Sequence, residues 1–239
     1  MSQIKAEYID HMGDDLRVVN AARVSFNKES TPAVNWAGDQ DGIVEKDEKL
    51  ITYLATHDHF TPFTHPVITL RETVPIFVAR QRFKHVIGFT YNEVSRRYVD
   101  DEPEFYIPDV WRSRPEGSAK QGSGDRVISE PISVYTEGHE GGFGDWEMDS
   151  LNYEDLVHLC KAWYEEAIKQ GVAPEQARMV LPQSMMTSYY VTGSLAAFAR
   201  AYKQRKDSHA QKEIQDLAVQ WDKVIRPLFP VSWEVLTSA

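Results

Sequence analysis

Residues 80–98, R-Q-R-F-K-H-V-I-G-F-T-Y-N-E-V-S-R-R-Y, limit the folds open to this chain more than any other segment. The cations Arg80, Arg82, Lys84, Arg96 and Arg97 are interleaved there with Phe83, Val86, Ile87, Phe89 and Tyr91. A wholly solvated helix face would not carry those aromatic and aliphatic residues, so partial burial is expected, and a buried charge needs a partner. The chain's formal net charge is −10. A cationic patch that opposes the general balance points to a small anionic ligand. Acidity argues against a general nucleic-acid binder, which needs broad positive surface to displace counterions, but it leaves room for a nucleotide.

The 239 residues can bury a sizeable core within one domain. No apolar run approaches a membrane span, and the first residues lack the apolar stretch of a secretory signal, so a soluble cytoplasmic protein is expected. The single cysteine, Cys160, has no internal disulfide partner. It falls with Leu156, Trp163 and Ile168 near one face of an amphipathic pattern and reads as a buried structural thiol.

Periodicity and capping signals predict helices over 14–25 and 46–57, then a strand over 66–73. Thr73 and Pro75 open a third helix through 76–85, which Gly88 ends or interrupts. From Tyr153 the pattern is helical: 154–170 up to Gly171, a short helix from Pro174, one near 192–206 and one over 208–224. The class expected is α+β, a single domain over 1–239 with helices around a modest central sheet. Residues 112–150 hold seven of the thirteen glycines and few aliphatics, and read as a long excursion, a lid or a disordered segment. Inside it V-I-S-E-P-I-S-V-Y-T could form a short hairpin.

Within 80–98, Arg96 and Arg97 can fork onto phosphate oxygens and Ser95 adds a hydroxyl. The cluster His57, His59, His65 lacks the carboxylate or cysteine pattern of a zinc site, so these rings are expected to bond a ligand or cap local structure, and no metal is expected. Arg178 lies among apolar neighbours in Q-A-R-M-V-L-P. Arg205 and His209 are i and i+4 and share a face if one helix carries both, although Asp207 and Ser208 could begin a new one. An arginine facing a neutral heterocycle can stabilise charge that develops on the ring without moving a proton.

Four motifs occur in order: N-A-A-R-V-S-F (20–26), H-F-T-P-F-T-H (59–65), P-I-F-V-A-R-Q-R-F-K-H followed by N-E-V-S-R-R-Y (75–98), and A-R-M-V-L-P followed by R-K-D-S-H-A-Q-K-E-I-Q (177–215). In this order they resemble the flavin-dependent thymidylate synthases, phage-encoded members above all. The resemblance implies that family's fold, with a mainly antiparallel central sheet flanked by helices. The family's signature is an R-H-R triplet, a spacer and a serine; here Lys84, His85 and Val86 occupy the triplet, and eight residues separate it from Ser95.

The resemblance implies that Thr61, Lys84, His85, Val86 and Glu93 line an FAD site, with Ser25 and His59 close by, and that Ser194, Arg200 and His209 match further flavin-contacting positions. It implies that Gln81, Arg82, Phe83, Lys84, Glu93, Val94, Ser95, Arg96 and Arg97, with Arg178, bind deoxyuridylate (dUMP). Arg205 matches the arginine that promotes ionisation of the uracil ring. The implied reaction is reductive methylation of dUMP to dTMP, with methylenetetrahydrofolate as one-carbon donor and NADPH as the reductant of FAD, in a homotetramer with shared sites. No enzyme nucleophile takes part, so Cys160 has no catalytic role. Two alternatives remain beside it: a hydroxymethylating variant, suggested by the altered triplet, and a protein that binds nucleotide or RNA through 80–97 without chemistry.

Overall fold

The computed structural model describes residues 3–34, 38–39, 42–99, 101–117, 122–130, 132–136 and 149–238. In chain order the elements are β1 (Lys5–Met12), α1 (Asp15–Arg23), α2 (Glu45–Thr56), β2 (Val67–Pro75), α3 (Ile76–Arg82), β3 (Phe89–Glu93), β4 (Trp111–Arg112), β5 (Val127–Ile128), β6 (Val134–Thr136), β7 (Asp149–Leu151), α4 (Tyr153–Lys169), α5 (Pro174–Ala177), β8 (Met186–Ser194), α6 (Leu195–Lys206), α7 (Lys212–Ile225) and α8 (Pro230–Thr237). They fall into two compact units. One comprises 4–74, 78–93 and 188–239, and the other comprises 1–3, 75–77 and 94–187. Among the described residues no helix is long and apolar enough to cross a membrane.

The larger unit is built on a four-stranded sheet in the order β1-β2-β8-β3. β1 and β2 pair antiparallel, from Lys5 opposite Thr73 to Met12 opposite Val67, and β3 pairs antiparallel with β8. Between β2 and β8, hydroxyl bonds join Thr69 to Thr192 and Thr73 to Ser188, so these strands also run in opposite directions. The expected antiparallel sheet with flanking helices is therefore present. Alternation places Ile68, Leu70, Glu72 and Val74 on one face of β2, all without solvent exposure, and Tyr189 and Val191 of β8 are buried with them. Phe198, Ala201, Ile214, Leu217, Ala218 and Trp221 of α6 and α7 complete this core.

Glu72 is the exception in that row, a carboxylate where the period-2 pattern calls for an apolar residue. Arg82 meets it from the end of α3, its Nε 3.1 Å from Glu72 Oε2, and both side chains have no exposed surface. Tyr189 Oη (2.7 Å) and Trp221 Nε1 (2.8 Å) also donate to the carboxylate. The guanidinium donates to Tyr91 Oη at 2.6 Å and lies 4.3 Å from the centre of the Phe89 ring and 4.6 Å from that of Trp221. Arg82 therefore belongs to the core. This corrects its assignment as a nucleotide contact, because a residue with no exposed surface has none to offer a ligand.

Asp14 caps α1 by accepting from Arg17 N, as the capping signal predicted. The next residue, Asp15, reaches the first turn of α8 and accepts from Val231 N and Ser232 N, both at 2.9 Å. A carboxylate on the open donors at the start of a helix is favourable.

In the other unit, α4 begins with a capping box of Asn152 and Asp155 and stops before Gly171, which has φ +86°. Tyr164, Ala167 and Ala177 form its core, with Ile168, Val180 and Leu181 packed against them. Two expectations change here. β5 pairs with β4, and β6 with β7, so V-I-S-E-P-I-S-V-Y-T is not a hairpin on itself. Residues 137–148 of the excursion lie outside the described residues. The buried face of α4 is Val157, Tyr164 and Ala167, whereas Leu156 and Trp163 are exposed, and Cys160 is half-buried on the boundary.

Removing one partner of a buried ion pair strands the other charge, which costs about 3–5 kcal/mol. Arg82→Met is expected to lower stability by about that much, measured by urea denaturation followed through tryptophan fluorescence. The double variant Glu72→Gln/Arg82→Met, which leaves no lone charge, is expected to lose less than Arg82→Met alone.

Candidate active site

All of the residues assigned to the flavin by resemblance lie in the larger unit, together with Gln81, Phe83 and Arg205. Val94, Ser95, Arg96, Arg97 and Arg178 lie in the other unit. Within it Arg96 pairs with Asp101 at 3.0 Å, Arg97 lies 3.7 Å from Glu175, and Arg178 is exposed in a short 3-10 turn, Arg178–Val180.

The larger unit's site is organised by the turn between α3 and β3. After Arg82 the chain makes tight turns, with Lys84 N bonded to Gln81 O and His85 N to Arg82 O. Gly88, at φ +80°, then redirects it into β3. A Cβ at Gly88 would lie 2.9 Å from Ala197 Cβ, and one at Gly193 would lie 2.4 Å from the Phe89 ring. Both glycines are thus required by close approach. Ser194 N donates to Gly88 O at 3.1 Å, and Ser194 Oγ caps α6 by accepting from Ala197 N. Ser194 is buried in this joint, so its evident task is to start α6 beside the turn.

From that start α6 carries two arginines back across the turn. Arg200 Nη2 donates to Ile87 O at 2.6 Å. Arg205 Nε donates to His85 Nε2 at 2.8 Å, and Arg205 Nη2 lies 3.3 Å from Gln81 O. Gln81 Nε2 in turn donates to Gln211 Oε1 at 2.5 Å. His85 is 7% exposed, and its carbonyl accepts from Tyr91 Oη, the hydroxyl that also takes a bond from Arg82. Burial, and then the charges of Arg205, Arg82 and Arg200, lower the His85 pKa from 6.5 to about 4. Burial, and then Arg82, also lowers that of Arg205. Burial raises the Tyr91 hydroxyl to about 12, so it stays protonated and able to donate.

His209 does not share a helix with Arg205. α6 ends at Lys206, Asp207 turns extended, and His209 pairs with Asp207 through its ring (2.8 Å) and backbone before α7 begins. Ser25, His59, Thr61, Lys84, Val86 and Glu93 are all exposed. His57 stacks on Tyr53 at 4.1 Å and bonds its carbonyl, so this histidine serves local structure. In N-A-A-R-V-S-F, Arg23 pairs with buried Asp47, and Asn20 exchanges two hydrogen bonds with Ser30, which pins the loop after α1. Beside them is a cleft of about 580 Å³ lined by Gly13, Arg17, Asn20, Val24, Glu29 and His65. Sequence reasoning missed this cleft, as it missed Gln211 and Tyr91. The conjunction of His65 with the 20–26 motif required the fold to become visible.

A family model described as "Thymidylate synthase complementing protein" matches residues 7–231. The chain belongs to the flavin-dependent thymidylate synthase family. A flavin-dependent thymidylate synthase of Thermosipho africanus is 37% identical over 227 residues, covering 95% of this chain and 87% of that protein. One of Thermotoga neapolitana is 36% identical, covering 95% and 88%. Among solved structures, the UMP/dUMP methylase PolB of Streptomyces cacaoi bound with 5-Br dUMP superposes with a TM-score of 0.72 at 28% identity, covering 99% of this chain and 96% of that one. PolB bound with 5-Br UMP gives 0.70 at 27%, covering 100% and 95%. This family member keeps the middle residue of the signature triplet, His85, at the one triplet position that is buried.

Because the fold lowers the His85 pKa, its neutral ring is favoured in the native state. The contribution is whole above about pH 6.5 and is lost as pH falls toward about 4, where only the unfolded chain takes up the proton. Urea stability is expected to fall across this interval more steeply in the native protein than in His85→Leu. The His85 ring resonances are expected to hold still from pH 8 to 5.

Proposed function

We propose that this protein is a thymidylate synthase that methylates dUMP to dTMP, using methylenetetrahydrofolate as one-carbon donor and FAD reduced by NADPH. The observation that carries the reading is Arg205, half-buried, with Nε held by the His85 ring and Nη2 near Gln81 O. Five N–H groups belong to a guanidinium. The two bonds occupy its inner edge, leaving the Nη1 side of the fork for a ligand. C5 of uracil is a poor nucleophile. Without a thiol adding at C6, electron density at C5 must come from stabilising the ring as an anion, and a preorganised cation in a partly desolvated site is suited to that. Cys160, half-buried on α4, has no part in this chemistry.

The residues fit a flavin dinucleotide. Exposed Lys84 and Arg200 offer cationic donors suited to a diphosphate, with Ser25, His59, Thr61, Val86, Glu93, Ser194 and His209 as the further assigned neighbours; His85, assigned with them by resemblance, is buried. Bound and reduced, FAD supplies the electrons that complete the methyl group. Gln81, Phe83, Lys84 and Glu93 are assigned to dUMP with Val94, Ser95, Arg96, Arg97 and Arg178, whose cations suit its phosphate. We take the two units as one catalytic domain, since one family model runs through residues of both. A cytoplasmic homotetramer with shared sites is part of the proposal. The exposed Phe26, Phe60, Val86 and Ile87 of one unit and Tyr98 and Met179 of the other are apolar surface of the kind that subunits cover.

The test is the mass of the nucleotide recovered after incubation with dUMP, methylenetetrahydrofolate, NADPH and FAD under low oxygen. Methylated product is expected; a hydroxymethylated product, or none, would overturn the reading. Arg205→Ala is expected to lower kcat by about 100- to 1,000-fold, the usual effect of removing one preorganised stabiliser, while the bound-flavin spectrum is retained. Loss of FAD from that variant would move Arg205 to the flavin site instead.

A further inference from the structure

We infer that His85 is a positioning residue for Arg205: its neutral imidazole accepts the Nε–H of Arg205 at Nε2 and thereby aims the free edge of the guanidinium at the substrate ring. The inference rests on the assignment of Arg205 to the uracil ring and adds the group that orients it.

The geometry has three parts. The 2.8 Å contact joins Arg205 Nε, which can only donate, to His85 Nε2, which must then accept. The imidazole proton therefore resides on Nδ1. A protonated ring would turn an N–H against the guanidinium, and three cations act on His85: Arg205 and Arg200 from α6 and Arg82 from α3. Neutral histidine supplies what a carboxylate partner would supply in an ordinary arginine pair, an acceptor, without cancelling the positive charge that the reaction needs.

The second part is the support behind the ring. His85 O accepts from Tyr91 Oη at 2.8 Å, Tyr91 Oη accepts from Arg82 Nη1 at 2.6 Å, and Arg82 is fixed on Glu72 in the core. His85 thus sits at the outer end of a chain of buried contacts, and an acceptor so anchored holds its partner's angle. The third part is the arginine's other tie, from Nη2 to the backbone carbonyl of Gln81. Two attachment points on one edge fix the plane of a guanidinium, whereas a single one would leave it free to pivot.

A positioning role differs from a flavin contact in what is lost when the ring is removed. His85→Leu is expected to lower kcat about 10- to 100-fold with little change in the KM for dUMP, because an interaction realised only in the transition state is weakened. FAD affinity, followed by fluorescence titration, is expected to change less than threefold. His85→Gln, whose amide oxygen can accept, is expected to recover most of the rate. In the double variant His85→Leu/Arg205→Ala, the loss is expected to equal that of Arg205→Ala alone, because the histidine acts through the arginine.

A measurement independent of turnover separates this inference from the function on which it rests. In the native protein, the ¹⁵N shifts of His85 are expected to show Nδ1 protonated and Nε2 bare at pH 7, and the Arg205 Nε–H to exchange slowly, faster in His85→Leu. If Nε2 carries the proton, or if the kinetic losses of the two variants multiply, the positioning role is wrong whatever the reaction. If the tautomer and exchange results hold but Arg205→Ala leaves turnover intact, the contact is real and the assignment of Arg205 to the uracil ring has failed.

Discussion

The fold of the larger unit depends on one ion pair, Glu72 with Arg82, both without exposed surface. Two charges taken out of water lose several kcal/mol of hydration each, and their mutual attraction offsets this only where the remaining lone pairs and protons are also satisfied. Here Tyr189 and Trp221 donate to the carboxylate, Tyr91 accepts from the guanidinium, and the rings of Phe89, Tyr91, Phe198 and Trp221 surround it. The partners come from β2, α3, β3, β8, α6 and α7. A group so dependent on geometry tolerates few alternative registers. A one-residue slip of β2 would turn Glu72 to the opposite face and leave Arg82 charged and alone in an aromatic shell.

The same group explains why a precise site can stand on a short turn. Residues 83–88 belong to no regular element, yet Tyr91 ties the turn's carbonyl to Arg82, and Gly88 and Gly193 let β3 and α6 approach until Ser194 bonds across. Rigid support behind a loop is what allows a loop to hold a reacting group in place. The site's polarity follows as well. Arg82 is paired with Glu72 inside the core, and Lys84, Arg200 and Arg205 stand as cations at the turn, in a chain whose net charge is −10.

Much of this was legible in the sequence, for identifiable reasons. α1, α2 and α4 announce themselves through apolar spacing with acidic residues in the first turn, and the interleaving of cations with aromatic residues in 80–98 foretells buried charge. What the segment did not reveal was which charge. Arg80, Arg82 and Lys84 are equivalent by local pattern, and only the distant Glu72 selects Arg82. β1 was invisible because as an edge strand it buries little, and β3 because its five residues lie inside a segment that reads as a ligand site. β8 is hidden by its neighbour: by pattern Thr192, Gly193 and Ser194 read as the start of a helix, although they finish a strand and Ser194 is the cap of α6. On α4, Leu156 and Trp163 carry the hydrophobicity but Val157 and Tyr164 carry the packing, a choice that periodicity alone could not make.

The departure from the signature triplet acquires a physical sense in this setting. Lys84 keeps a charge at the first position without the planar fork, and Val86 gives up the charge at the third, where its side chain is 66% exposed. An arginine at 86 would add a like charge close to His85, which already faces Arg82, Arg200 and Arg205. Like charges disfavour one another's ionised forms, and the Arg205 pKa is already lowered by burial and by Arg82. Valine at 86 relieves that repulsion, so positive charge at the turn is concentrated on Arg205 and on the exposed Lys84 and Arg200. Arg205 thus stands as a cation in a partly desolvated place, while Lys84 and Arg200 are cations that water reaches.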